Sequence, residues 1–155
     1  MAEITAEERQ RVLHLDEQLC FALHSAARAY DAVYRRVLAD TGLTYPQYLV
    51  MLALWEHGEM PLKRLAEHLR LDSGTLSPLV KRMEASGLVR RERSAHDERS
   101  VTILLTADGA ALRERALTIP LEALDATGLD RDGLFELRSR LKRLTAALDE
   151  SLRPE

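Results

Sequence analysis

One cysteine in 155 residues leaves no partner for an intramolecular disulfide. The five histidines are dispersed, with no Cys-x-x-Cys or His-x-x-x-His pair, so neither a metal site nor a cofactor is expected. No apolar run approaches the roughly 20 residues that span a bilayer. The opening Met1-Ala2-Glu3-Ile4-Thr5 lacks a basic region followed by an apolar one, and a cytoplasmic location with no membrane partner is expected. No paired acid-base constellation suggests an enzyme. Cys20 then matters, if it does, as a thiol in a reducing compartment.

Seven glycines and five prolines are few breaks for such a chain, and helical periodicity dominates between them. With 46% apolar and 30% charged residues, a single packed domain, mainly α, is expected over residues 1–155. Leu19, Leu23, Ala26, Tyr30, Val33 and Val37 recur at spacings of three and four and mark a first helix running to about Ala39. Its start is open: Thr5 with Glu8 forms a capping box, and Asp16 can cap a later start that puts Cys20 in the second turn. Thr44 with Gln47 caps a second helix that carries Pro46 in its first turn and ends at His57-Gly58.

A third helix begins at Pro61 with Leu62, Leu65, Ala66 and Leu69 on one face, and a fourth follows the N-cap Asp72 and ends near Ser86-Gly87. Two short helices joined by a turn make a helix-turn-helix candidate. Residues 88–93 and 101–105 read as strands around a polar loop, and a hairpin in that place is a wing. Thr106 caps a fifth helix expected to end near Pro120. A sixth, from about Asp130, carries Leu134, Leu137, Leu141, Leu144 and Leu148 as a heptad seam that suggests a homodimer.

The net charge of 22 − 25 = −3 hides an asymmetry. Residues 61–100 hold nine Lys or Arg against six Asp or Glu, +3, which leaves −6 for the remainder. A basic lobe on an acidic scaffold suits double-stranded DNA, because phosphate attraction is local and screened beyond about 10 Å. In the fourth helix Leu76, Leu79, Val80 and Met83 gather on one face, with Gly74, Ser77, Pro78 and Lys81 opposite and Thr75 and Arg82 beside them. Small residues there admit the helix to a major groove, with the hydroxyls of Ser73, Thr75 and Ser77 as donors or acceptors and Lys81 on phosphate or guanine. In the wing, Arg90 and Arg91 reach phosphates, and Arg99, oriented by Asp97, enters the minor groove.

These residues resemble the MarR family of winged-helix transcription regulators. The likeness runs through Leu71-Asp72-Ser73-Gly74-Thr75-Leu76-Ser77-Pro78-Leu79, Lys81-Arg82-Met83-Glu84, Gly87-Leu88-Val89 and Asp97-Glu98-Arg99-Ser100 before Leu105-Thr106. Leu19-Cys20-Phe21, Thr44-Tyr45-Pro46-Gln47-Tyr48 and Leu54-Trp55-Glu56 are similar to its organic-hydroperoxide-resistance branch, of the one-cysteine type. The resemblance implies a winged helix-turn-helix lobe at 44–106 and helical dimerisation regions at 1–43 and 107–155. It also implies a homodimeric repressor on an inverted-repeat operator, released when organic hydroperoxide oxidises Cys20, with Tyr34 and Tyr45 hydrogen-bonding to that cysteine. The thiolate is the attacking form, and phenolic donors near a helix N-terminus favour it. Where the branch more usually has an aromatic, this chain has His24. Lacking the second cysteine of some sensors, Cys20 would be resolved by a low-molecular-weight thiol or another adduct, or proceed to sulfinic acid. The alternative is a repressor released by a reversible small-molecule ligand, with Cys20 a small packed hydrophobe.

Overall fold

The computed structural model describes residues 11–93 and 100–153. A 3-10 turn at Leu15–Glu17 leads into α1 (Leu19–Val37), and a second at Ala39–Thr41 follows it. Then come α2 (Tyr45–His57), β1 (Met60–Pro61), α3 (Leu62–Leu69), α4 (Ser73–Ala85), β2 (Val89–Arg93), β3 (Val101–Leu105), α5 (Ala107–Arg115), α6 (Ile119–Asp125) and α7 (Arg131–Ser151). The chain forms two compact units, Met1–Arg113 and Glu114–Glu155. Among the described residues no helix is long and apolar enough to cross a membrane.

The core of the first unit lies where α2, α3 and α4 pack on one another. Tyr48, Met51, Leu54, Leu65, Leu76, Val80 and Met83 are fully buried there, each apolar side chain contributing about 1.5–3 kcal/mol. Local chemistry fixes the helix ends. Gln47 Oε1 accepts from Thr44 N–H at 2.9 Å and closes the capping box at the head of α2. The α3–α4 turn is tight because Arg70 adopts φ 54°, with Arg70 N–H on Glu67 O at 3.2 Å and Leu71 N–H on Ala66 O at 3.0 Å. Gly87, at φ 77°, ends α4 in the same motif: its N–H reaches Glu84 O and that of Leu88 reaches Met83 O, both at 3.0 Å.

The wing is antiparallel, with Val89 opposite Leu105 and Arg93 opposite Val101. β3 is central, because β1 adds to its other edge with Met60 opposite Ile103. Thr106 caps α5 as its sequence suggests, accepting from Gly109 N–H at 3.0 Å while its hydroxyl donates to Gly87 O at 2.6 Å. Gly109 lies so close to the base of the wing that a Cβ would stand 2.0 Å from Leu88 O.

Three sequence expectations change. α1 starts at Leu19 with Gln18 as N-cap, so Asp16 is no cap and Cys20 falls in the first turn rather than the second; Thr5 and Glu8 lie outside the described residues. The helix expected from Thr106 to Pro120 is two helices, and Pro120 sits in the first turn of the second, where its missing N–H costs no bond. β1 had no place in the sequence reading, since a two-residue strand owes its existence to β3.

In the second unit, Asp130 Oδ1 accepts from Gly133 N–H at 2.8 Å and caps α7. None of α7 is buried within the chain, and Leu137, Leu141 and Leu148 are 45%, 40% and 53% exposed.

Candidate DNA-reading lobe and thiol site

Burial of Leu76, Leu79, Val80 and Met83 orients α4 as its periodicity requires. Ser73, Gly74, Thr75, Pro78, Lys81 and Arg82 are exposed, and Ser77 is half-buried. The cap at its start is tighter than a generic one. Asp72 Oδ1 accepts from Thr75 N–H at 2.8 Å, and Asp72 Oδ2 accepts from the Thr75 hydroxyl at 2.7 Å. The Thr75 hydroxyl therefore already gives its proton to Asp72, which leaves it the acceptor half of the donor-or-acceptor expectation.

Glu84 on α4 ties the helix to the wing, accepting from Arg91 N–H at 2.9 Å and from Arg91 Nε at 2.7 Å. Arg90 pairs with Glu92 at 3.1 Å. The tie from Glu84 to Arg91 has no counterpart in the sequence analysis, although a carboxylate seven residues from an arginine across a helix-to-strand turn is a usable signal. Asp97 and Arg99 lie outside the described residues.

Hydrogen bonds from Thr75 hold the Asp72 carboxyl below its ordinary range, and those from Arg91 do the same for Glu84. Each contribution is complete above the ordinary carboxylate range and is lost as the pH falls through the lowered folded-state value. The thermal midpoint of the wild type should therefore fall more steeply below about pH 4 than that of Asp72→Asn with Glu84→Gln, which keep acceptors but do not titrate. Parallel acid limbs in unfolding scans would contradict this.

The chain's four tyrosines and its one tryptophan form a continuous aromatic run. Tyr34 lies 5.0 Å from Tyr30, 4.5 Å from Tyr45 and 5.8 Å from Tyr48, between ring centroids, and Tyr48 lies 6.4 Å from Trp55. The indole N–H of Trp55 donates to Gly109 O at 3.0 Å. Burial first, then the neighbouring phenols, pushes the Tyr34 hydroxyl well above the ordinary phenol range. Burial followed by Asp31 and Tyr30 raises Tyr45. Both phenols therefore keep their protons at neutral pH and can act as O–H donors.

Cys20 is an exposed free thiol in the first turn of α1, so it is not a packed core residue of its own chain. Tyr34 is brought to Tyr45, but Cys20 is brought to neither. Fourteen residues of one helix separate Cys20 from Tyr34, about 21 Å along the axis at 1.5 Å per residue. Fourteen residues are also nearly four turns, so the two side chains leave α1 on the same side.

Comparison with known proteins identifies the family. Residues 32–115 match the family profile "Transcriptional regulator SarA/Rot". The organic hydroperoxide resistance transcriptional regulator of Bacillus subtilis is 45% identical over 138 residues, covering 89% of this chain and 94% of that protein. Among solved structures, reduced AbfR bound to DNA superposes with a TM-score of 0.77 at 35% identity, covering 94% of this chain and 99% of AbfR, a Staphylococcus epidermidis protein. Overoxidised AbfR bound to DNA gives 0.72 at 34% identity, covering 93% and 99%. With its winged three-stranded sheet, its single cysteine and these relatives, the chain belongs to the MarR family of winged-helix transcription regulators, in the organic-hydroperoxide-resistance branch.

Proposed function

We propose that this regulator is a homodimeric repressor that binds an inverted-repeat operator and leaves it when an organic hydroperoxide oxidises Cys20. The observation that carries this reading is the placement of Cys20 and Tyr34 on one side of α1, too far apart to meet within a chain. A two-fold axis through Ala27, midway between them, would set Cys20 against Tyr34 of the partner subunit. Ala27, on the same face as Cys20 and Tyr34, keeps that crossing slim, and none of α1 is buried in the single chain. Tyr34 brings Tyr45 with it, so two protonated phenols would face the thiol of the other subunit.

Cys20 gives its proton to water, the thiolate sulfur attacks the distal peroxide oxygen as the O–O bond breaks, and the departing alkoxide takes a proton from water to leave as an alcohol, giving a sulfenic acid. The two phenols hydrogen-bond the thiolate beforehand and the sulfenate oxygen afterwards. With one cysteine per chain, a low-molecular-weight thiol attacks the sulfenic sulfur and releases water as the mixed disulfide forms. Overoxidised AbfR is seen on DNA, which supports assigning release to the reversible products rather than to overoxidation.

On DNA, residues 44–106 act as the reading lobe, and the helices of 1–43 and 107–155 act in dimerisation. α4 enters the major groove through Ser73, Gly74, Thr75, Ser77 and Pro78, and Lys81 and Arg82 bind backbone phosphate. Arg90 contacts phosphate beside the groove, and Arg91 holds the wing on α4 through Glu84. Arg99, with Asp97 beside it, enters the minor groove.

Mixed dimers test the assembly and the sensor together. A dimer of one Cys20→Ser chain and one Tyr34→Phe chain keeps one complete site if the site is shared, and none if each chain builds its own. A dimer of wild type with the doubly substituted chain reverses that outcome. The first should respond to one equivalent of cumene hydroperoxide and the second should not; the opposite pattern overturns the shared site.

A further inference from the structure

With its four core residues turned inward, the outer face of α4 has no side chain in its first two turns that reads a base through paired hydrogen bonds. Arginine pairs with guanine in that way, and asparagine or glutamine with adenine. The face holds instead Ser73, Gly74, Thr75, Ser77 and Pro78, and its cations, Lys81 and Arg82, come a turn later.

Two of these residues are restricted further. The bond from the Thr75 hydroxyl to Asp72 Oδ2 fixes that side chain and uses its one donor proton, which leaves its methyl and an acceptor lone pair for a partner. Pro78, one turn on and exposed, continues the helix without an N–H to give it. Its ring contributes nothing to the core, so the proline weakens the helix for the sake of an apolar surface on the outside. Gly74, where a Cβ would come within 3.0 Å of Asp72 Oδ1, adds no bulk to that surface. A small apolar patch is thus exposed on a lobe of positive charge, where solvation alone would favour polar groups.

We infer that α4 reads thymine 5-methyl groups in the major groove, with Thr75 as a specificity-determining residue, Pro78 as a second contact, and Lys81 and Arg82 supplying phosphate affinity. The inference rests on the DNA-binding reading above. The thymine methyl is the apolar feature on the major-groove edge of the base pairs, and burying one methyl is worth roughly fourfold in affinity.

The test begins with duplexes selected by the full-length protein from a random-sequence library. Each thymine of a selected site is then replaced by deoxyuridine, which removes the methyl and keeps the hydrogen-bonding edge, and binding is measured at one salt concentration. At one symmetric pair of positions deoxyuridine should weaken binding about fourfold per half-site, and roughly fifteenfold when both are changed. Thr75→Ser, which keeps the hydroxyl for Asp72 and drops the methyl, should bind thymine and deoxyuridine duplexes alike. Thr75→Val, which keeps a methyl and drops the hydroxyl, should retain the penalty. The inference is overturned if no thymine position responds, if Thr75→Ser keeps the full penalty, or if the selected half-sites are fixed by G·C pairs that Lys81→Ala relaxes. Tight binding without sequence preference would also overturn it while leaving DNA binding intact. Binding to no duplex at all would sink the DNA-binding reading and the inference with it.

Discussion

Cys20→Ser is expected to bind the operator as the wild type does and to keep it through a dose of organic hydroperoxide that releases the wild type. Serine replaces the sulfur with an oxygen that does not attack peroxide, at an exposed position in the first turn of α1 where no core contact is lost. A regulator couples its two sites by about 1–3 kcal/mol, so oxidised wild type should lose on the order of 5–150-fold in operator affinity. The variant should lose none, as read by fluorescence anisotropy before and after peroxide. Release of the variant at the same dose would move the signal elsewhere in the molecule.

A second large effect is expected from Leu141→Asp on α7. Leu137, Leu141 and Leu148 form an apolar stripe that is exposed among the described residues, so a charge there costs the single chain little. In a dimer interface it would bury an unpaired carboxylate, which costs several kcal/mol. Sedimentation should show monomers with unchanged helical circular dichroism. Operator affinity should fall by about 10²–10⁴-fold, because each lobe then binds its half-site without the other held near it. A variant that stays dimeric would remove α7 from the interface, and one that loses its circular dichroism would show that the monomer does not fold alone.

Much of the lobe was legible in the sequence because its signals are local. Thr44 with Gln47, Asp72 at the head of α4, Gly87 at its end and Thr106 before α5 each act within a few residues, and the structure forms each of those caps. What was missed depends on distance or on hydrogen-bond direction. β1 exists through β3, more than forty residues on, and nothing in Met60-Pro61 announces it. The break between α5 and α6 was concealed because proline suits a first turn as well as it stops a helix. Which half of the donor-or-acceptor expectation applies to the Thr75 hydroxyl depends on Asp72, three residues back, which takes its proton.

The thiol site divides in the same way. The resemblance supplied the residue types, and the structure brings Tyr34 to Tyr45 while leaving Cys20 at the far end of α1. That separation follows from fourteen residues at a fixed rise, a signal present in the sequence once both residues are placed on one helix. The tie from Trp55 to Gly109 had no such signal, since it joins residues 54 apart in the chain.

The most direct test of the account follows operator retention by the wild-type protein through one equivalent of cumene hydroperoxide per subunit and then an added low-molecular-weight thiol, with the intact mass recorded at each step. Release is expected on oxidation at Cys20, with the mass showing one added oxygen or its thiol adduct, and rebinding once excess thiol restores the original mass. Operator retained with Cys20 fully oxidised to those products, or release with no mass change, would contradict it.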